Sequence, residues 1–301
     1  MSRTVNGEVL FGDVEKEVFR KLIWQVSDFS GIRVITYAVM KNHFHILVEV
    51  PAGDEQVSDE EIVRRYKRLY PRKTLWQPMT AEILRKHLKE NRLEGQLLRQ
   101  DLLRRMHDIS EMMKILKLRY SLWFNRSKQR FGTLWAERFK SVLVEGDRFA
   151  LQTVAAYIDL NAVRAGIVSD PKDYRFCGYG EAAGGARMAR AGIHSVVRDI
   201  SGYRQLLYGA GSVSRDGKVS LSRKEAVRVL EKEKGTLPLA VVLRCRVRYF
   251  SDGVILGSRQ FVQEQLSTGD GGPRKKVPRA MKGAEWNGLT VGSGMRSRLF
   301  D

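Results

Sequence analysis

An α+β fold is what three observations predict for this chain of 301 residues. Arg33 to Val50 is dominated by Val, Ile, Thr, Tyr and Phe on either side of Lys41-Asn42, the composition of two half-buried strands joined by a tight turn. Asp13 to Ser30 carries Val14, Val18, Leu22 and Val26 on one stripe, with Phe19, Ile23 and Trp24 beside it, the period of an amphipathic helix. The chain up to Gly166 then reads strand, helix, strand, strand, helix, strand, helix. Periodicity alone assigns that order to the α+β class and goes no further.

Taken in order, Ser2 to Phe11 reads as a strand interrupted at the turn dipeptide Asn6-Gly7. Asp13 can cap the first helix, and the hairpin follows it. Residues 52 to 130 read as charged helices inserted after the hairpin. Ser58 and Glu61 form a capping box ahead of Ile62, Tyr66 and Leu69. A second helix starts at Thr80 and carries Ile83, Leu84 and Leu88, with Gly95 a break before Leu97, Leu98, Leu102 and Leu103. Ser110 to Asn125 is a third, with Met113, Leu116, Tyr120 and Trp123 spaced for burial. Leu134 to Glu145 reads as the last core strand, placing Arg138 and Lys140 on one face and Phe139, Ser141 and Leu143 on the other. Asp147 then caps a helix that Gly166 stops.

Beyond residue 180 the composition changes. Glycines mark loops and short helices, and helices are expected at Ser222 to Lys234, Pro238 to Arg246 and Ser258 to Leu266. The predicted organisation is a domain over 1–180 with its insertion at about 52–130, a helical appendage over 181–266, and a basic tail over 267–301. That tail is too poor in large apolar groups to predict order.

Lys plus Arg number 53 against 34 Asp plus Glu, a net charge of +19 that points to a polyanionic partner, nucleic acid before membrane surface. Cys177 and Cys245 are the only cysteines, which suits a reducing compartment and excludes a disulfide framework. No apolar run approaches the ~18 residues of a membrane span. Met1-Ser-Arg-Thr-Val lacks the apolar core of a signal peptide.

Two elements carry the chemistry. On the second hairpin strand His43 and His45 are two residues apart, so both imidazoles leave the same face while Phe44, Ile46 and Val48 take the other. Two such rings can share a divalent metal, and can equally be half-exposed histidines bonded to neighbours. On the late helix Tyr157 and Asn161 stand one turn apart. A phenol beside an amide suits a covalent nucleophile and a metal ligand, and also suits an ordinary helix surface. Arg119, Arg126, Lys128 and Arg130 cluster near Trp123 and Phe124, a mixture that holds single-stranded nucleic acid by phosphate contact and stacking, or is merely solvated.

Lys41-Asn-His-Phe-His-Ile-Leu-Val48, Trp135-Ala-Glu-Arg-Phe-Lys-Ser141 and Tyr157-Ile-Asp-Leu-Asn-Ala-Val-Arg-Ala-Gly166, in that order, resemble the single-tyrosine HUH transposases, nearest the REP-associated tyrosine transposase branch. The resemblance covers roughly the first 180 residues. It departs at Ala162, where that family usually has proline, and at the amino terminus, where members have a fuller first strand. A short edge there would cost stability.

The resemblance implies a ferredoxin-like antiparallel sheet with helices and a Mg²⁺ or Mn²⁺ ion held by His43, His45 and Asn161. It implies attack by Tyr157 on single-stranded or hairpin DNA to leave a 5′-phosphotyrosine and a free 3′-OH. Lys41, Arg138 and Lys140 join the basic cluster as expected DNA contacts. The expected setting is the cytoplasm, at the nucleoid, with the chain a monomer or a homodimer and the appendage either gripping a hairpin stem or packing as a lid. Two other classes stay open: a DNA- or RNA-binding regulator with an inactive site, and a metal-dependent hydrolase using water, for which the usual acidic cluster is lacking.

Overall fold

The structure is a computed structural model and describes residues 1–51, 57–75, 77–90, 92–211, 253–267, 279–280 and 289–293. Helices and small sheets are mixed, as an α+β chain requires. The helices expected at Ser222 to Lys234 and Pro238 to Arg246, and Cys245, lie outside the described residues. Among the described residues no helix is long and apolar enough to cross a membrane. The chain divides into two compact units: residues 1–2, 35–47 and 138–301 form one, and 3–34 and 48–137 the other.

The second unit is helical. α1 (Asp13–Ser30) buries Phe19, Leu22, Ile23, Val26 and Phe29. Val14, expected on that stripe, is exposed. Gly31, at φ 67°, ends the helix in the left-handed conformation that glycine adopts without steric cost. α2 (Asp59–Leu69) opens on the expected box, the Glu61 N–H donating to Ser58 Oγ at 3.3 Å. α3 (Ala81–Glu90) and α4 (Leu93–Arg104) replace the single interrupted helix. Gly95 falls in the first turn of α4, where an added Cβ would lie 2.2 Å from the His87 carbonyl oxygen. Its role is close approach rather than breaking. α5 (Ile109–Ser127) is capped by Asp108. Its Tyr120 meets Phe19 and Phe11 edge-on, with ring centroids 4.7 and 5.3 Å apart, at the centre of an aromatic core completed by Phe124 and Trp135.

β1 (Ser2–Arg3), β2 (Arg33–Val39) and β3 (His43–Glu49) form a three-stranded sheet in the order β1-β3-β2. Asn6 and Gly7 interrupt the first strand as expected, both with positive φ. The predicted strand over Leu134 to Glu145 is not continuous. Its first half runs beside β1 through a single antiparallel bridge, Thr4 to Trp135, flanked by backbone bonds from Val5 N to Leu134 O and from Ala136 N to Arg3 O, both 3.0 Å. Lys140 N donates to Met1 O at 2.8 Å, a register shifted from those bonds, so the ladder fails and Arg138 and Lys140 do not share a strand face.

The second half is β4 (Leu143–Val144), which joins another sheet. It pairs in parallel with β5 (Gly253–Gly257), Leu143 opposite Ile255 and Val144 opposite Leu256. β7 (Thr290–Ser293) lies antiparallel to β5, and β6 (Arg279–Ala280) to β7. The appendage read as helical therefore holds, besides α11 (Arg259–Ser267), the strand β5, which it contributes to a four-stranded sheet of order β4-β5-β7-β6. The tail expected to lack order supplies two of its strands. The reason lies in short apolar runs: Val254, Ile255 and Leu256 between glycines, and Leu289 with Val291, are all buried.

In the first unit α6 (Arg148–Asp159) and α7 (Asn161–Arg164) divide the single helix expected from Asp147 to Gly166, parting at Leu160. α8 (Gly178–Ala183), α9 (Arg187–His194) and α10 (Ile200–Gly211) follow, with α10 and α8 packed against α6.

Candidate active site

The hairpin sets the imidazoles. The Met40 N–H donates to the His43 carbonyl at 2.8 Å and closes the turn at Lys41-Asn42. His43 and His45 follow on one face, rings 5.3 Å apart at 86°. His45 is buried and His43 half-buried. Phe44, on the other face, is fully buried, while Ile46 and Val48 are half-buried. The His43 Nδ1 lies 2.8 Å from the Asn42 amide oxygen. With that oxygen accepting, Nδ1 carries the proton and Nε2 is the lone-pair nitrogen a cation would use.

Helix α6 brings the phenol. Asp147 caps it, accepting from the N–H groups of Phe149 at 2.7 Å and Ala150 at 3.1 Å. Val154 and Ile158 turn inward and carry Tyr157 with them. The Tyr157 ring, 4% exposed, stands perpendicular to that of His45 with centroids 5.8 Å apart. The Arg164 guanidinium lies 4.0 Å from the Tyr157 ring centroid and also donates to the Tyr157 carbonyl. Asn161 Nδ2 donates to the carbonyls of Tyr157 at 3.2 Å and Ile158 at 3.1 Å, ending α6. Its other amide atom, Oδ1, is the one a cation would take.

Two imidazole nitrogens and an amide oxygen fit Mn²⁺ more closely than Mg²⁺, which prefers an all-oxygen octahedron. Among the described residues no group of three His, Cys, Asp or Glu side chains is gathered to hold a metal. The residues that would hold an ion here are His43, His45 and Asn161.

The cations expected to meet DNA have varied surroundings. Lys41, at the hairpin turn, and Arg138 are exposed, and Lys140 is half-buried. In the other unit the Arg119 guanidinium is turned onto Tyr70, 5.2 Å from its ring centroid, where burial pushes its pKa down. Lys128 pairs with Glu15 at 2.7 Å, and Arg130 donates to the Thr133 carbonyl at 3.2 Å. Arg126 is exposed.

Sequence reasoning passed over Asp159, which is fully buried two residues beyond Tyr157. Both its oxygens lie 2.9 Å from the Thr36 hydroxyl; the Tyr203 hydroxyl donates at 2.6 Å and the Tyr179 N–H at 3.0 Å. Burial pushes its carboxyl up to about 6, and these donors pull the other way. The same burial, with Asp159 alongside, pushes the Cys177 thiol and the Tyr203 phenol up. No local signal marks it, because its donors come from residues 36, 179 and 203, far from it in sequence. Comparison with protein-family models, curated proteins and solved structures finds no match.

Proposed function

We propose that this chain is a DNA strand transferase of the single-tyrosine HUH type, in which Tyr157 is the nucleophile on single-stranded or hairpin DNA. The observation that carries the reading is the Tyr157 ring standing against His45, with His43 alongside, from elements far apart in the sequence. The strand order lends support. With Leu134–Lys140 beside β1, the sheet reads as fourth segment, β1, β3, β2, the order of a ferredoxin-like βαββαβ fold. The charge of +19 suits a phosphate backbone.

Tyr157 Oη forms a bond to phosphorus in line with the P–O3′ bond, which breaks. The 5′ phosphate stays on the tyrosine, and the departing 3′ oxygen gains a proton equivalent to the one the phenol gives up. The phosphotyrosine conserves the phosphodiester, so the reverse attack by a 3′-OH rejoins DNA without a nucleotide cofactor. His43, His45 and Asn161 would hold a divalent ion, which would supply Lewis-acid charge at the scissile phosphate. Arg164 places a positive charge over the face of the Tyr157 ring.

The burial of Tyr157 favours a second reading, a DNA- or RNA-binding regulator on the same fold that does not cleave. One experiment separates them: incubation with end-labelled single-stranded hairpin DNA and Mn²⁺, followed by a denaturing gel. The transferase gives a slower-migrating protein–DNA band, absent in Tyr157→Phe, in His43→Ala and in EDTA. Retention of the label on native gels with no such band supports the regulator. Cleavage without a covalent band that survives Tyr157→Phe means a water nucleophile and removes both readings.

A further inference from the structure

We propose that Asp159 is the positioning residue that sets the nucleophile helix against the imidazole strand. This rests on Tyr157 being the reactive group. One carboxylate accepts from three separate elements: Thr36 on β2, the Tyr179 N–H at the start of α8, and Tyr203 on α10. The first of these links α6 to the hairpin that bears the histidines. Counting back by twos from the Met40–His43 closing pair puts Ala38 beside His45 and Thr36 beside Leu47, on the face that carries both rings. The Thr36–Asp159 bond therefore fixes α6 two residues from Tyr157 to the same sheet face that presents His45.

The surroundings leave little slack. Gly178 backs against Thr36 so closely that a Cβ there would lie 2.2 Å from Thr36 Oγ1 and 3.0 Å from its Cα. A backbone bond from Val39 N to Phe176 O at 2.9 Å, and a side-chain bond from the Tyr174 hydroxyl to Val39 O at 2.6 Å, hold the 174–178 segment along β2. Tyr157 and Asp159 lie about 200° apart around the helix, so the phenol meets His45 on one side while the carboxylate is gripped on the other. A helix freed at Asp159 could roll or slide, and a misplacement of about 1 Å at a reacting atom costs roughly 100-fold in rate.

The test uses the full-length chain with Asp159→Ala, Asp159→Asn, Tyr203→Phe and Thr36→Val. Asn keeps an oxygen for the Tyr179 N–H, and its NH₂ can meet either hydroxyl once that hydroxyl turns to accept. The first readout is the proton shift of the His45 imidazole by NMR, which senses the perpendicular Tyr157 ring and needs no activity. Tyr157→Leu gives the value without the ring. The expected result is a shift close to wild type in Asp159→Asn, displaced towards the Tyr157→Leu value in Asp159→Ala, and intermediate in Tyr203→Phe and Thr36→Val. The second readout is the single-turnover rate of covalent adduct formation against hairpin affinity: Asp159→Ala slows the adduct about 100-fold, Asp159→Asn recovers most of the rate, and affinity is unchanged in both. Should Asp159→Ala fail to fold, the two hydroxyl deletions carry the test. An unmoved His45 shift in Thr36→Val and Tyr203→Phe, or adduct formation at the wild-type rate in these variants, overturns the proposal. Absence of any adduct in the wild type, with the His45 shifts behaving as expected, removes the transferase reading and leaves Asp159 as the fixed point of α6.

Discussion

The two ends of α6 are held by different means. At the carboxyl end Asp159 is dry, and three donors from three elements converge on it. At the amino end Asp147 is an exposed cap, and the preceding residues lean on a two-residue strand. There the Glu145 N–H donates to the Leu256 carbonyl at 2.9 Å, and the Glu145 carboxylate accepts from the Ser258 N–H at 2.5 Å and its hydroxyl at 3.0 Å. Hydrogen bonds that replace water contacts are worth little net, whereas deleting one partner of a buried set strands the others. The helix should therefore depend on its carboxyl end for position and on its amino end mainly for local order.

The largest expected effect is at Asp159. Asp159→Ala leaves two hydroxyls and an N–H buried without their acceptor and destabilises the chain by ~3 kcal/mol in urea unfolding. A loss no larger than at the amino end would erase the contrast. Glu145→Ala comes next, at about 1 to 2 kcal/mol, and faster hydrogen exchange at the Ser258 amide would localise it to the β4–β5 pairing. Asp147→Ala removes a cap bonded to two N–H groups and costs about 1 kcal/mol, read as fraying of the first turn of α6 by the same exchange measurement. The smallest lies in the other unit. Bonds from Arg64 and Arg65 hold the Glu61 carboxyl down at about 2. A depressed carboxylate contributes stability present above its ordinary value and lost as pH falls through about 2. Because the group is about a third exposed, Glu61→Gln costs less than about 1 kcal/mol at neutral pH, and the difference from wild type disappears on acid titration.

The elements that local chemistry decides were the ones a reader of the sequence could find. Residues 33–50 hold their hairpin because period-2 patterning and a turn dipeptide act within neighbouring residues. Asp147 and Ser58 cap their helices because the acceptor and its N–H partners lie within three residues. His43, His45 and Tyr157 were legible as chemistry-bearing types, and the structure brings the three rings together.

What escaped depends on partners far along the chain. The ladder over Leu134 to Glu145 breaks because its two halves answer to different strands, β1 and β5, a choice that alternation cannot encode. Short runs such as Val254-Ile-Leu256 cannot be told from helix by period alone. Asp159 reads as a surface residue until Tyr203 and Thr36 arrive to satisfy it. Arg119 counts as a basic-patch member on composition, yet its guanidinium lies over Tyr70.

The parallel pairing of Leu143–Val144 with Ile255–Leu256 has a consequence during synthesis. The ribosome makes α6 well before it delivers β5, and a contact so distant in sequence closes late. A chain still emerging therefore carries Tyr157 on a helix moored only at its carboxyl side, and its amino side gains a strand partner only once residues 253–257 have emerged.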